Sequence, residues 1–176
     1  VKPGAQKAKG NGFERETAKE LSRWYFGDEN ALIRTQSSGA MATVRQIAIG
    51  LNDIMQISHH EDPFPFCVEC KHLKKAVTFH DLFSEKSLFR KAWTQATTAA
   101  TLTPGSDALL IFRANGKMTL ASLHKTTFDK LGLVMAEAHA TVWWDETGAR
   151  VLTAPLEAML TVYNAKRAKS RERDAA

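Results

Sequence analysis

Two stretches decide how this chain reads: Leu51-Asn52-Asp53-Ile54-Met55-Gln56 and Phe66-Cys67-Val68-Glu69-Cys70-Lys71. Each reads as a short strand, and the Pro-bearing stretch from His59 to Pro65 turns the chain between them. Strand side chains alternate, so Glu69 and Lys71 share a face. Two carboxylates and an ammonium converging at the ends of paired strands suit a divalent cation bound beside a phosphate. Carboxylate oxygens are the hard ligands that Mg²⁺ prefers. The lysine can hold an attacking water or a scissile phosphate. Asp…Glu-x-Lys is common by chance, so its weight comes from the elements around it.

Upstream, Asn11 and Gly12 open a helix that runs to Phe26 and stops at Gly27. Ala18, Leu21 and Tyr25 form its inward stripe, with Phe13, Thr17 and Trp24 alongside, and Glu14 heads that stripe. Two readings of Glu14 are open: an acid favoured by the helix N-terminus, or a third acid facing the metal. Ala31–Gln36 reads as the first strand, and the mixed stretch 41–50 fits either a short helix or a loop. Downstream, Glu85 to Leu102 is a second long helix with apolar residues Leu88, Phe89, Ala92, Trp93, Ala96, Ala99 and Ala100. Gln95 lies at the edge of that stripe. Ala108–Arg113 and Lys117–Ser122 flank Asn115-Gly116, the strongest short hairpin signal in the chain, because Asn-Gly suits a type I′ turn. Beyond Leu123 the pattern predicts a short helix over 124–135, a strand at Thr141–Asp145 paired with Arg150–Leu152, and a helix from Pro155 to Lys169. The class is α/β: a central mixed sheet flanked by helices in the order α-β-β-β-α-β, with a C-terminal extension.

The bulk numbers describe an ordinary globular protein, with 176 residues, 44% apolar and 24% charged. No apolar run reaches the ~18 residues that span a bilayer, and the first ten residues lack the apolar core of a signal peptide. The expectation is a cytoplasmic protein. Two cysteines make no disulfide framework. The net charge is +5, concentrated at the ends: Lys2, Lys7 and Lys9 at one, Lys166, Arg167, Lys169, Arg171 and Arg173 at the other. Such ends are either solubilising tails or arms that neutralise phosphates. The chain therefore divides into a basic arm (1–10), a core (11–123), C-terminal elements packed on the core or forming a dimer interface (124–165), and a basic tail (166–176).

Over residues 7–122 the chain resembles PD-(D/E)XK nucleases, and within them archaeal and phage Holliday-junction resolvases. The resemblance rests on Lys7-Ala-Lys-Gly-Asn-Gly-Phe-Glu14-Arg-Glu, Arg34-Thr-Gln-Ser37-Ser38-Gly39, Asp53-Ile-Met, Glu69-Cys70-Lys71, the helix with Trp93 and Gln95, and Leu109–Phe112. It departs from the family at Asn52, where Gly or Pro is common, and in the length of the stretch between Ser38 and Asp53. The resemblance implies a restriction-endonuclease-like core. It implies that Asp53, Glu69 and the Cys70 backbone carbonyl bind Mg²⁺, with Mn²⁺ as a substitute, and that Glu14 reaches the same or a second ion. Lys71 would orient the water, Gln95 would organise the site, and Ser38 would contact phosphate. Lys7, Lys9, Arg34, Ser37 and Lys74 would join Ser38 in binding DNA. Hydrolysis would leave 5′-phosphate and 3′-hydroxyl. The implied setting is DNA recombination and repair in a prokaryotic or phage-infected cell. The partners would be four-way junction DNA and a second copy of the chain, with no membrane and no small-molecule cofactor. Junction symmetry gives the homodimer a reason, since two equivalent strands are cut.

The rivals are a less selective branched- or duplex-DNA endonuclease of the same fold and a non-catalytic DNA-binding module. The latter includes a zinc form built on Cys67-Val-Glu-Cys70 and nearby histidines. In a regular strand residues 67 and 70 project to opposite faces, which argues against the zinc form.

Overall fold

A computed structural model describes residues 3–35, 52–57, 63–131 and 140–161. In chain order the elements are α1 (Pro3–Phe26), β1 (Leu32–Arg34), β2 (Ile54–Gln56), β3 (Phe66–Leu73), α2 (Phe79–Phe83), α3 (Leu88–Thr101), β4 (Asp107–Ala114), β5 (Thr119–His124), α4 (Lys125–Lys130), β6 (Thr141–Trp144) and β7 (Arg150–Pro155). Helical residues 156–161 follow.

Five strands form one mixed sheet in the order β3-β4-β5-β7-β6, and β1 and β2 form an antiparallel ribbon. Only the β3–β4 pair is parallel. The helices between them make that crossover. The alternation of β3 sets the layers. Phe66, Val68 and Cys70 join Leu109 and Ile111 under the α1 residues Phe13, Ala18, Leu21 and Trp24. Leu73 packs with Leu110 and Phe112 under the α3 residues Phe89, Ala92, Trp93 and Ala96. Covered on both faces, residues 108–112 of β4 are all buried, which is why they read as an unbroken apolar run. Ser87 starts α3, its hydroxyl accepting the Arg90 N–H.

Several expectations are corrected. α1 starts at Pro3 rather than at Asn11, so residues 3–10 form its first turns. Proline suits the first helical position, and the Ala, Gln and Lys residues after it favour helix enough to carry the helix through Gly10 and Gly12. The β4–β5 hairpin turns at Asn115-Gly116 as expected, with Arg113 pairing with Thr119 so that β5 starts at Thr119 rather than Lys117. It holds a turn closed by Lys117 N–H to the Ala114 carbonyl (3.0 Å), with Gly116 at φ +66°. The expected pairing of the strands near 141–145 and 150–152 is present, and β7 also pairs with β5, so β6 and β7 join the sheet. Trp143 is fully buried there and Trp144 is exposed. Leu88 and Gln95 stand outside the buried stripe of α3. The readings of residues 36–51 and of the basic tail lie outside the described residues.

Candidate active site

Asp53 sits where the β1–β2 ribbon meets the free edge of β3. Its backbone is held from both sides: its N–H donates to the Val68 carbonyl (2.9 Å) and its carbonyl accepts from Thr35 N–H (2.8 Å). Its Oδ2 accepts the Cys70 N–H at 2.8 Å. One residue earlier, Asn52 Nδ2 donates to Cys67 Sγ at 3.4 Å. That contact anchors the chain just before Asp53 and gives the unusual Asn52 a structural purpose.

Glu69 lies at the middle of β3 and is 1% exposed. Its Oε1 accepts a hydrogen bond from Lys71 Nζ, two residues on along the same strand face. Burial, and then the neighbouring Asp53 charge, push the Glu69 carboxyl up to about 7, against the pull of Lys71. Burial works to lower the Lys71 pKa, but the Glu69 carboxylate outweighs it and the net shift is upward. A buried acid and a lysine that perturb each other beside a second carboxylate mark a candidate site.

The Cys70 N–H and the Val68 carbonyl both point to the β3 edge that Asp53 occupies. Along a strand the N–H and C=O of one residue point to the same side, so the Cys70 carbonyl faces that edge too. The Cys70 thiol is buried, and burial raises its pKa well above the ordinary thiol range. Cys67 and Cys70 are free, buried and on opposite faces of β3, so one zinc ion could not take both thiols.

Glu14 comes to the same region from α1 and forms an ion pair with Arg34 of β1. Its negative charge still contributes to the rise at Glu69. Arg34, expected as a DNA contact, is therefore committed to Glu14. Sequence did not reveal this pair, because 20 residues separate its members and no local periodicity links a helix to the next strand. Gln95 is exposed on α3, and among the described residues no hydrogen bond ties it to these acids. Lys7, Lys9 and Lys74 are exposed, and Lys9 and Lys74 line one cavity of about 890 Å³. Ser37 and Ser38 lie outside the described residues. His72 turns away from Lys71 and packs edge-on against Phe13, with centroids 5.9 Å apart.

Among the described residues no three His, Cys, Asp or Glu side chains close into a metal cage. Asp53 Oδ2 sits on the Cys70 N–H and the Asp53 charge acts on Glu69, so the candidate donors, the two carboxylates and the Cys70 carbonyl, are all oxygen. That set fits a small hard cation that keeps several waters and takes further oxygens from phosphate. A cation there would also offset the repulsion that raises Glu69.

A second ionisable cluster holds the β6–β7 hairpin. Asp145 Oδ1 accepts Thr147 N–H (2.9 Å), Thr147 Oγ1 (2.7 Å) and Ala149 N–H (3.0 Å), and its Oδ2 pairs with His124 Nε2 (3.0 Å). Burial raises the Asp145 pKa, but the hydrogen bonds outweigh it and bring it to about 2.

A family model described as "Phage putative PDDEXK endonuclease" matches residues 5–169, from the first turns of α1 past β7. No curated protein and no solved structure matches the chain.

Proposed function

The chain belongs to this PDDEXK endonuclease family, and from that premise we propose that it is a Mg²⁺-dependent, structure-selective DNA endonuclease that resolves four-way junctions. The observation that carries the reading is Glu69: a carboxylate buried beside Asp53 and bonded to Lys71, its pKa raised to about 7. A protein gains nothing in stability from two acids held together out of water.

Asp53, Glu69 and the Cys70 carbonyl would hold Mg²⁺, or Mn²⁺ in its place. The ion would supply Lewis-acid activation of the attacking water and offset charge on the phosphate. The chain's own residues do the rest. The Cys70 N–H fixes Asp53 Oδ2, so that carboxylate is aimed before DNA arrives. Lys71, partly open to solvent, can donate to a non-bridging phosphate oxygen or hold the water in line. Arg34 holds Glu14 oriented at the rim, from where it can act through water. Gln95 and Ser38 would meet the DNA rather than the metal. The products would be a 5′-phosphate and a 3′-hydroxyl.

Exposed Lys7, Lys9 and Lys74 support recognition of backbone and shape rather than of base edges. A homodimer would place one site on each of the two equivalent strands. No helix among the described residues is long and apolar enough to cross a membrane. The test is cleavage of an end-labelled four-way junction in Mg²⁺ with linear duplex of the same arms as competitor. Paired symmetric nicks at protein levels that spare the duplex are expected. Equal cutting of both would discard junction selectivity and leave the less selective endonuclease.

A further inference from the structure

Beyond Lys71 the strand end opens into the cavity of about 890 Å³, and His72 and Leu73 form its near wall. Lys9, Lys74 and Lys75 line it, and Asp81 is its sole carboxylate among the described lining residues. That carboxylate is already engaged: Asp81 Oδ2 accepts from Thr78 N–H (2.8 Å) and Thr78 Oγ1 (2.7 Å). The two residues form the capping box of α2, the short helix that makes one wall.

On the outer side of α2 stand Phe79 and Phe83, 72% and 50% exposed. Their rings meet edge to face with centroids 5.0 Å apart. Leu88, at the rim, is 70% exposed. The core takes its anchor from this helix in buried Leu82, and neither phenyl ring belongs to that cluster. Paired aromatics left in water on a capped turn beside lysines call for a ligand with flat apolar faces and regularly spaced negative charge.

We propose that this lysine-lined groove and the Phe79–Phe83 pair on the outer side of the adjoining α2 together bind one unpaired single-stranded segment of the DNA substrate, passing over α2, as an opened branch point or a flap would present. Lysines would hold successive phosphates while the rings stack on bases. Duplex DNA hides its base faces, so only an unpaired segment can use such rings. The inference rests on the nuclease reading for its DNA partner. It adds that nucleotides next to the cut are held unpaired, where the branch point opens or a flap leaves the duplex.

The test is fluorescence anisotropy of the full chain with a labelled oligothymidylate of about 12 nucleotides, a length within the usual single-strand site size. EDTA is present, so binding is read apart from cleavage. Phe79→Ala/Phe83→Ala should weaken binding roughly tenfold or more and leave thermal unfolding unchanged, since both rings are exposed. Lys74→Gln/Lys75→Gln should flatten the slope of log affinity against log salt by roughly 1.4, the single-strand value for two phosphates. Wild-type affinity in the double Phe variant would overturn the proposal. So would a change in sedimenting mass with DNA affinity intact, which would make the pair a protein contact. Failure of the nuclease reading looks different: oligothymidylate binds through Phe79 and Phe83, yet no DNA is cut in Mg²⁺ or Mn²⁺.

Discussion

Replacing Glu69 with Gln should stabilise the metal-free protein while abolishing its chemistry. The folded carboxyl keeps its proton up to about pH 7, whereas the unfolded one releases it near 4.5. Between those values the folded state binds more protons, so stability falls as pH rises and the loss is complete above 7. The displacement corresponds to about 3 kcal/mol. Gln carries no charge and never incurs that cost, but it gives up the bond from Lys71, which leaves a net gain of about 1–3 kcal/mol at pH 8. For a chain of this size that is roughly 2–10 °C in Tm. The gain should vanish near pH 5, where wild-type Glu69 is protonated. The assay is thermal unfolding in EDTA at both pH values, followed by circular dichroism. Added Mg²⁺ should raise the wild-type Tm by linkage and leave the variant unmoved. A variant less stable than wild type at pH 8 would refute the reasoning and make Glu69–Lys71 a structural ion pair.

Asp53→Asn keeps an acceptor for the Cys70 N–H but removes a hard ligand, so it should abolish DNA cleavage while sparing DNA binding in a gel-shift titration. Gly12 lies inside α1, and a Cβ there would meet nothing within 4 Å. Gly12→Ala should therefore add about 0.5–1 kcal/mol, read by urea unfolding. Asp145→Ala removes the acceptor of four hydrogen bonds at the β6–β7 turn and should cost about 2–3 kcal/mol at pH 7. The Asp145 contribution is present above its unfolded value of 3.8 and is lost as pH falls through about 2. The gap between wild type and variant should therefore narrow in acid unfolding measured from pH 5 down to 2.

The strand carrying Glu69 and Lys71 was legible because an apolar run ended by charged residues and bounded by Pro63 and Pro65 has few other readings. The β4–β5 hairpin was legible from Asn115-Gly116, although β5 starts at Thr119 rather than Lys117. The β6–β7 pair followed from alternation around Trp143. What was not legible depends on contacts distant in sequence. Nothing local shows that β7 joins β5, which turns an apparent appendage into two strands of the sheet. Nor does anything local bind Arg34 to Glu14, or Asn52 to Cys67. Helix α2 did carry a local signal, Thr78 and Asp81 in capping-box spacing, but five residues are too few for helical periodicity to show. The start of α1 was misplaced because Gly10-Asn11-Gly12 reads as a helix boundary, whereas Pro3 and the helix-favouring Ala, Gln and Lys residues after it carry the helix through it.

The most direct test of the account is single-turnover cleavage of a four-way DNA junction by wild type and Glu69→Gln in Mg²⁺, with binding of both measured in EDTA. The account predicts equal binding and a rate lower by roughly a hundredfold or more in the variant. Cleavage by Glu69→Gln at the wild-type rate would place the chemistry elsewhere on the chain.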